Sequence, residues 1–251
     1  MSKKIEDEID FDELKGWDLI ELLRSHPRFV DKCDLSNLWG SAWARLLEKQ
    51  PGLIEYCDLS NLDGYDWMQI LISQPQFADK CEFDKLDGYN WNKLLIAQPQ
   101  FSNKCEFDKL EGYDWVRLLE KHPQLADKLN GLADKLNGSA WVDILSEQPQ
   151  LIDKCDLSKL YRCEWLELLT KQPGLAEYCD FDKLTGYEWG TLLFRQPGLA
   201  DKLDRHIWVA ILSECPQFAK YCDFNKLSGY NWNKLLIAQP QFCRQVWGVE
   251  K

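Results

Sequence analysis

Cysteine, histidine and carboxylate side chains carry the chemistry that catalysis or metal binding would need, so their spacing is decisive. Seven of the ten cysteines, Cys33, Cys57, Cys81, Cys105, Cys155, Cys179 and Cys222, each stand six residues after a proline. No Cys-x-x-Cys and no cysteine–histidine pair at zinc spacing occurs, so neither a metal site nor a redox pair is expected. One thiol at a fixed place in each repeat reads as a ladder of small buried hydrophobes, with neighbours ~8–10 Å apart and out of disulfide reach. Cys163, Cys215 and Cys243 fall out of register, at places that hold Tyr, Gln and Ala elsewhere. His26 and His122 occupy a slot before proline that is Gln at 50, 74, 98, 148, 172, 196 and 239. A side chain there is placed to hydrogen-bond the backbone at a helix junction. His206 replaces a Tyr. The first two histidines lie four repeats apart, too far for a shared metal or a catalytic pair.

The carboxylates also form rows. One row is Asp31, Glu55, Asp79, Asp127, Asp153, Glu177 and Asp201, and the other is Asp34, Asp58, Glu82, Glu106, Asp156, Asp180 and Asp223. Asp180 and Asp182 lack the further ligands and the glycine of a calcium loop. Such rows read as solvated faces that limit aggregation, partly offset by Lys80, Lys104, Lys128, Lys154 and Lys202. The competing reading is an acidic track for a basic partner. No Ser-His-Asp set and no phosphate-binding glycine loop is present. No catalytic residue, metal or cofactor is therefore expected, and the chain is not expected to be an enzyme.

The elements that place these side chains are repeats. Trp recurs at 43, 67, 91, 115, 141, 165, 189, 208 and 232, and a proline follows each by eight residues. Pro27 pairs in the same way with Leu19, which makes ten repeats with steps of 24, 24, 24, 24, 26, 24, 24, 19 and 24 residues. Two places break the register. Leu-Ala-Asp-Lys-Leu-Asn-Gly is doubled within 125–138, and the Cys-acidic-Phe stretch is missing near 201–207. Gly88–Phe101 and Gly229–Phe242 are identical over fourteen residues, so residues common to all repeats reflect architecture before they reflect a site.

Within a repeat, Trp67, Ile70, Leu71 and Gln74 mark one helical stripe. Asp63, Asp87, Asn137, Thr185, Asp204 and Ser228 are N-cap residues, and Asp66 and Glu188 suit capping boxes. Pro75 ends the first helix and can open a second element, whose Phe77, Ala78 and Cys81 keep helical spacing. Cys81 to Leu86 then reads as a 3₁₀ turn or short extended link. The expected fold is an all-α solenoid of ten ~24-residue repeats, with a right-handed superhelix. The 24-residue step and the Gln-Pro junction resemble leucine-rich-repeat-variant arrays, which pair an α-helix with a 3₁₀ helix. The resemblance covers about residues 11–245 and implies a curved superhelix without chemistry; no cluster-binding cysteine domain accompanies it. Trp208-x-x-Ile211-Leu212-x-x-Cys215-Pro216 also resembles cysteine-containing leucine-rich repeats, whose fold is an α/β horseshoe. Against that alternative, the would-be strand carries no β-branched residue in any repeat. The expected organisation is an N-terminal cap over 1–10, the solenoid over 11–242 and a C-terminal cap over 243–251.

Variation from repeat to repeat is concentrated one and five residues after each Trp, at neighbouring positions on a helix flank. Met68, Ile72, Asn92, Ile96, Val116, Leu166, Phe194, Val209 and Ile237 form the candidate strip, facing either a partner or the adjacent repeat. The chain has 251 residues and a formal net charge of −11, the wrong sign for a phosphate binder, so nucleic acid is disfavoured. No apolar run is long enough to span a bilayer and the N-terminus lacks a signal core, so no membrane role and a cytoplasmic location are expected. The expected function is a repeat scaffold binding a protein or peptide along one face. The alternative is an acidic decoy that occupies the basic surface of a nucleic-acid-binding protein.

Overall fold

The computed structural model describes residues 9–180 and 183–244. Apart from residues 9–10 and 243–244, both expected caps lie outside the described residues, as does Asp182. Among the described residues there is no strand, and the fold is all-α, with a helix and short 3₁₀ turns in each repeat. The helices are α1 Gly16–Ser25, α2 Gly40–Lys49, α3 Gly64–Ser73, α4 Gly88–Ala97, α5 Gly112–Lys121, α6 Gly138–Glu147, α7 Arg162–Lys171, α8 Gly186–Arg195, α9 Arg205–Glu214 and α10 Gly229–Ala238. The horseshoe alternative fails where it needs a strand. The stretch after Cys57, Cys81, Cys105, Cys155 and Cys222 is a short 3₁₀ helix instead, as at Phe83–Lys85 and Phe107–Lys109.

The helices start and stop where local chemistry directs. The Asp63 carboxylate accepts the Asp66 N–H at 2.9 Å while Asp66 accepts the Asp63 N–H at 3.2 Å, a reciprocal capping box. Asp87, Asn137 and Asp204 likewise accept first-turn N–H groups at 2.8, 2.9 and 3.0 Å. At the other end, Gln74 closes the last turn by donating its N–H to Ile70 O at 2.7 Å. Pro75 then forces Gln74 out of the helical region, to φ −134° and ψ 71°. Having no N–H to lose, Pro75 opens the 3₁₀ helix Pro75–Lys80.

The chain divides into two compact units, Met1–Lys128 and Leu129–Lys251. The division falls on the doubled segment, where Gly131 takes φ +80°, a left-handed conformation that favours glycine. Helices α1 to α5 pack in series in the first unit, and α6 to α10 in the second. In the second unit the missing stretch lets Pro197–Lys202 lead almost directly into the Asp204 N-cap of α9.

Each unit completely buries the core tryptophans of its central helices, Trp67, Trp91 and Trp115 in the first and Trp141, Trp165 and Trp189 in the second, while Trp17 and Trp39 stay exposed. Where the preceding 3₁₀ turn supplies Phe, the two rings stack, as in Phe83–Trp91 and Phe107–Trp115, both with centroids 5.4 Å apart.

Two ladders of hydrogen bonds tie neighbouring repeats. In the first unit the Gln side chain before proline donates to a carbonyl of the preceding helix: Gln50 to Arg24 O, Gln74 to Glu48 O and Gln98 to Ile72 O, at 2.7, 2.9 and 2.8 Å. In the second unit Gln172, Gln196 and Gln239 reach Ser146 O, Thr170 O and Ser213 O at 2.6, 2.7 and 2.7 Å. These acceptors are among the helix-terminal carbonyls that have no partner within their own helix. The second ladder is cationic. The Lys85 ammonium donates to Leu62 O at 3.0 Å, that of Lys109 to Leu86 O at 3.1 Å, and that of Lys159 to Leu136 O at 3.2 Å.

Close backbone approach accompanies the ladders. A Cβ on Gly64 would lie 2.2 Å from Lys85 O, and one on Gly88 would lie 2.2 Å from Lys109 O. Gly229 opens the last helix and meets nothing within 4 Å. Gly88→Ala is therefore expected to destabilise the chain by about 1–3 kcal/mol through forced backbone separation. Gly229→Ala, in a stretch of identical sequence, should be neutral or slightly stabilising. Urea denaturation of the two variants checks this, and equal midpoints would contradict the close-approach argument. Gln98→Ala should cost about 1 kcal/mol by leaving Ile72 O without its donor. Hydrogen exchange should then quicken at the junction of α3 and α4.

Candidate functional site

The candidate strip divides when placed on this frame. In the first unit Met68 and Asn92 are buried and Val116 is half-buried; in the second Val209 is buried and Leu166 half-buried. These positions one residue after Trp face the next repeat. The Asn92 amide donates to Asp114 O of α5 at 2.6 Å, and a Cβ on Gly190, the equivalent place in α8, would lie 2.8 Å from the Phe218 ring. Their variation follows packing between repeats. The positions five after Trp sit further out. Ile72 and Ile96 are half-buried, while Phe194 is 75% and Ile237 is 83% exposed.

The more continuous exposed feature is one that sequence reasoning set aside as shared architecture. The second residue of most helices is an exposed aromatic: Trp17, Tyr65, Tyr89 and Tyr113 in the first unit, Tyr187 and Tyr230 in the second. Each lies two residues before the core Trp, or its equivalent Leu19, and so off the buried stripe, a signal present in the repeat pattern itself. Polar groups one turn later hold several rings. The Arg117 guanidinium lies 4.6 Å from the Tyr113 ring centre and donates to its hydroxyl at 3.2 Å. Lys93 and Lys234 cover Tyr89 and Tyr230 at 5.6 and 5.0 Å, and Gln69 donates to the Tyr65 hydroxyl at 3.0 Å. Such rings present flat apolar area with a hydroxyl at the rim, at small entropic cost on binding.

The titratable residues serve the frame. His122 takes the Gln role, its Nε2 lying 2.9 Å from Ile96 O. In the second carboxylate row, expected as a solvated face, the aspartates Asp34, Asp58, Asp156 and Asp223 accept a turn N–H two residues on, while Glu82 and Glu106 pair with Lys85 and Lys109. Asp58 accepts the Ser60 N–H and hydroxyl at 3.1 and 2.7 Å, and Asp156 accepts from Ser158 in the same way. The Ser60 and Ser158 hydrogen bonds hold both carboxyls below their usual range. The first row is exposed through Asp31, Glu55, Asp79 and Asp127, and Lys80 bridges to Glu55 of the preceding repeat at 3.2 Å. No group of three or more His, Cys, Asp or Glu among the described residues is arranged to hold a metal. No described helix is long and apolar enough to cross a membrane.

The in-register thiols are half-buried, except Cys179, which is buried; Cys215 is buried, Cys243 half-buried and Cys163 exposed. Burial pushes Cys57, Cys81, Cys105, Cys155, Cys179 and Cys222 up to about 12. The Cys163 thiol is raised as well, by its 2.9 Å hydrogen bond to Glu164. A thiol whose folded pKa exceeds its unfolded value favours the fold while protonated. That stability is present below about pH 8.5 and is lost as the pH climbs toward about 12. The urea midpoint should therefore fall between pH 9 and pH 11, and less steeply after Cys81→Ala and Cys105→Ala. At pH 8 most in-register thiols should resist a thiol reagent until the chain unfolds, and rapid labelling of the native protein would contradict their burial. No protein-family model, no curated protein and no solved structure matches the chain.

Proposed function

We propose that the chain is a non-catalytic repeat scaffold that binds another protein or peptide along the exposed faces of its helices. The observation that carries this reading is the set of exposed aromatic side chains at one helix position, Tyr65, Tyr89 and Tyr113 in consecutive helices of the first unit, held over a frame fixed by backbone hydrogen bonds. Exposed aromatic area next to cations is typical of contact surfaces, where Tyr and Arg are enriched. A rigid frame also lowers the ordering cost of association.

The acidic-decoy alternative has its own support in the exposed carboxylates Asp31, Glu55 and Asp79. Salt separates the two, because interactions between exposed charges are screened within ~8 Å at physiological ionic strength. Affinity capture from the source lysate, nuclease-treated, is run at low and high salt with wild type and with Tyr89→Ala/Tyr113→Ala. The scaffold reading expects a partner that survives high salt and is lost with the double variant. A partner lost at high salt, kept by the double variant and lost with Glu55→Gln/Asp79→Asn supports the decoy instead.

A further inference from the structure

The aromatic row of the first unit is interrupted once. At the second position of α2 stands Ser41, and at the position after its core Trp stands Ala44. No other helix of that unit is small at both places, since α3 has Tyr65 and Met68, α4 has Tyr89 and Asn92, and α5 has Tyr113 and Val116. The two small residues coincide with a cleft of about 410 Å³ across α1, α2 and α3. Ala44 is buried at its floor, and Trp17 and Tyr65 flank it from the neighbouring helices.

The charges lining the cleft are unevenly engaged. The Arg45 guanidinium lies 4.7 Å from the Trp17 ring centre and meets no carboxylate among the described residues. Arg24 adds a second guanidinium, with one nitrogen on Glu21 at 3.2 Å and its Nε buried without a hydrogen-bond partner. The acids of the cleft are occupied. Glu48 pairs with Lys49 at 2.9 Å, and Asp66 is held in the capping box of α3. Donor capacity thus exceeds acceptor capacity. A guanidinium laid on a ring keeps its N–H edge open, in the fork geometry that fits a carboxylate. A net charge of −11 opposes the approach of a polyanion, whereas a segment with one or two carboxylates meets far less repulsion.

We infer that this cleft anchors an acidic side chain of a bound peptide: a Glu or Asp carboxylate on the Arg45 guanidinium, with an adjacent apolar side chain over Ala44 flanked by Trp17 and Tyr65. The assignment rests on the peptide-binding reading above and narrows it to one anchor.

The test uses the full chain to select from a random heptapeptide phage library, followed by titration of the enriched peptides. Acidic residues next to an apolar one should be enriched. Ser41→Tyr restores the residue most other repeats carry and fills the cleft without disturbing the core. It and Arg45→Gln should each weaken the enriched peptides at least about tenfold, the size of one charge-assisted hydrogen bond. Lys171→Gln, in the second unit and paired with Glu167, should not. Enrichment without acidic residues, no enrichment over parental phage, or Arg45-dependent binding of a single-stranded oligothymidylate in place of peptide would overturn the assignment. Peptides that ignore Ser41→Tyr and Arg45→Gln but are lost with Tyr89→Ala/Tyr113→Ala remove the cleft and leave the helix face standing. Peptides indifferent to all of these variants remove both.

Discussion

The fold depends on one recurring contact: before six of the ten prolines a side-chain amide is placed on a carbonyl near the end of the preceding helix. Proline makes this contact possible. It ends each helix and holds the pre-proline residue outside the helical region, at φ −134° and ψ 71° for Gln74, so its side chain reaches back instead of out. Helix-terminal carbonyls lack partners within their own helix, and the ladder supplies donors from the neighbour. His122 shows that the requirement is for a donor of suitable reach rather than for glutamine, because its ring nitrogen takes the same place at 2.9 Å. Gln76, Gln100 and Gln150 extend the ladder outward by donating to the amide oxygens of Gln74, Gln98 and Gln148, at 2.7, 2.7 and 2.6 Å.

Once the ladder sets the spacing, the other constraints follow. Helices held this closely bring a neighbouring carbonyl onto their first residue, which explains glycine at 64, 88 and 138, where a Cβ would lie 2.2 to 2.5 Å from that oxygen. They also trap the large rings. Trp67, Trp91, Trp115 and Trp141 bury their indole N–H groups with no partner among the described residues, at about 1–3 kcal/mol each. Such a cost is tolerable only where the ring area compensates. A fully buried indole meets that condition, since it buries on the order of 150–250 Å², and stacked Phe83 and Phe107 add ring area over Trp91 and Trp115.

Much of this was legible in the sequence. The helical stripe, the N-caps, the hydrogen-bonding role of the Gln slot and both register breaks could be read from one-dimensional spacing. What spacing cannot supply is the identity of the neighbour on each side of a helix. Met68, Asn92 and Val209 lie on the flank expected of a variable strip, yet that flank faces the next repeat. Asp58 and Asp156 are acidic and surface-lying as read, but their partners two residues on make them turn caps. The aromatic row was hidden for another reason: constancy among repeats was taken as architecture. A residue can recur because the frame needs it or because the surface does, and only its exposure separates the two. The cleft at Ser41 and Ala44 depends on Trp17 and Tyr65 from two other repeats, so no single repeat announces it.

The ladder also explains why side chains five residues after Trp are free to vary. The carbonyls that accept from the Gln amides belong to those residues: Glu48, Ile72, Ser146, Thr170 and Ser213. The frame uses their backbone and leaves their side chains unconstrained, so Glu, Ile, Ser and Thr serve equally. About two helix turns earlier along the same side of the helix, the frame likewise asks little of the exposed second residue, yet Tyr returns there in five of the ten helices. Duplication accounts for a residue appearing again, but it does not hold an exposed, oxidisable ring in place while neighbouring exposed positions drift. That contrast between a free position that varies and a free position that stays aromatic is what favours the tyrosine row over the variable strip as the contact surface of the proposed scaffold.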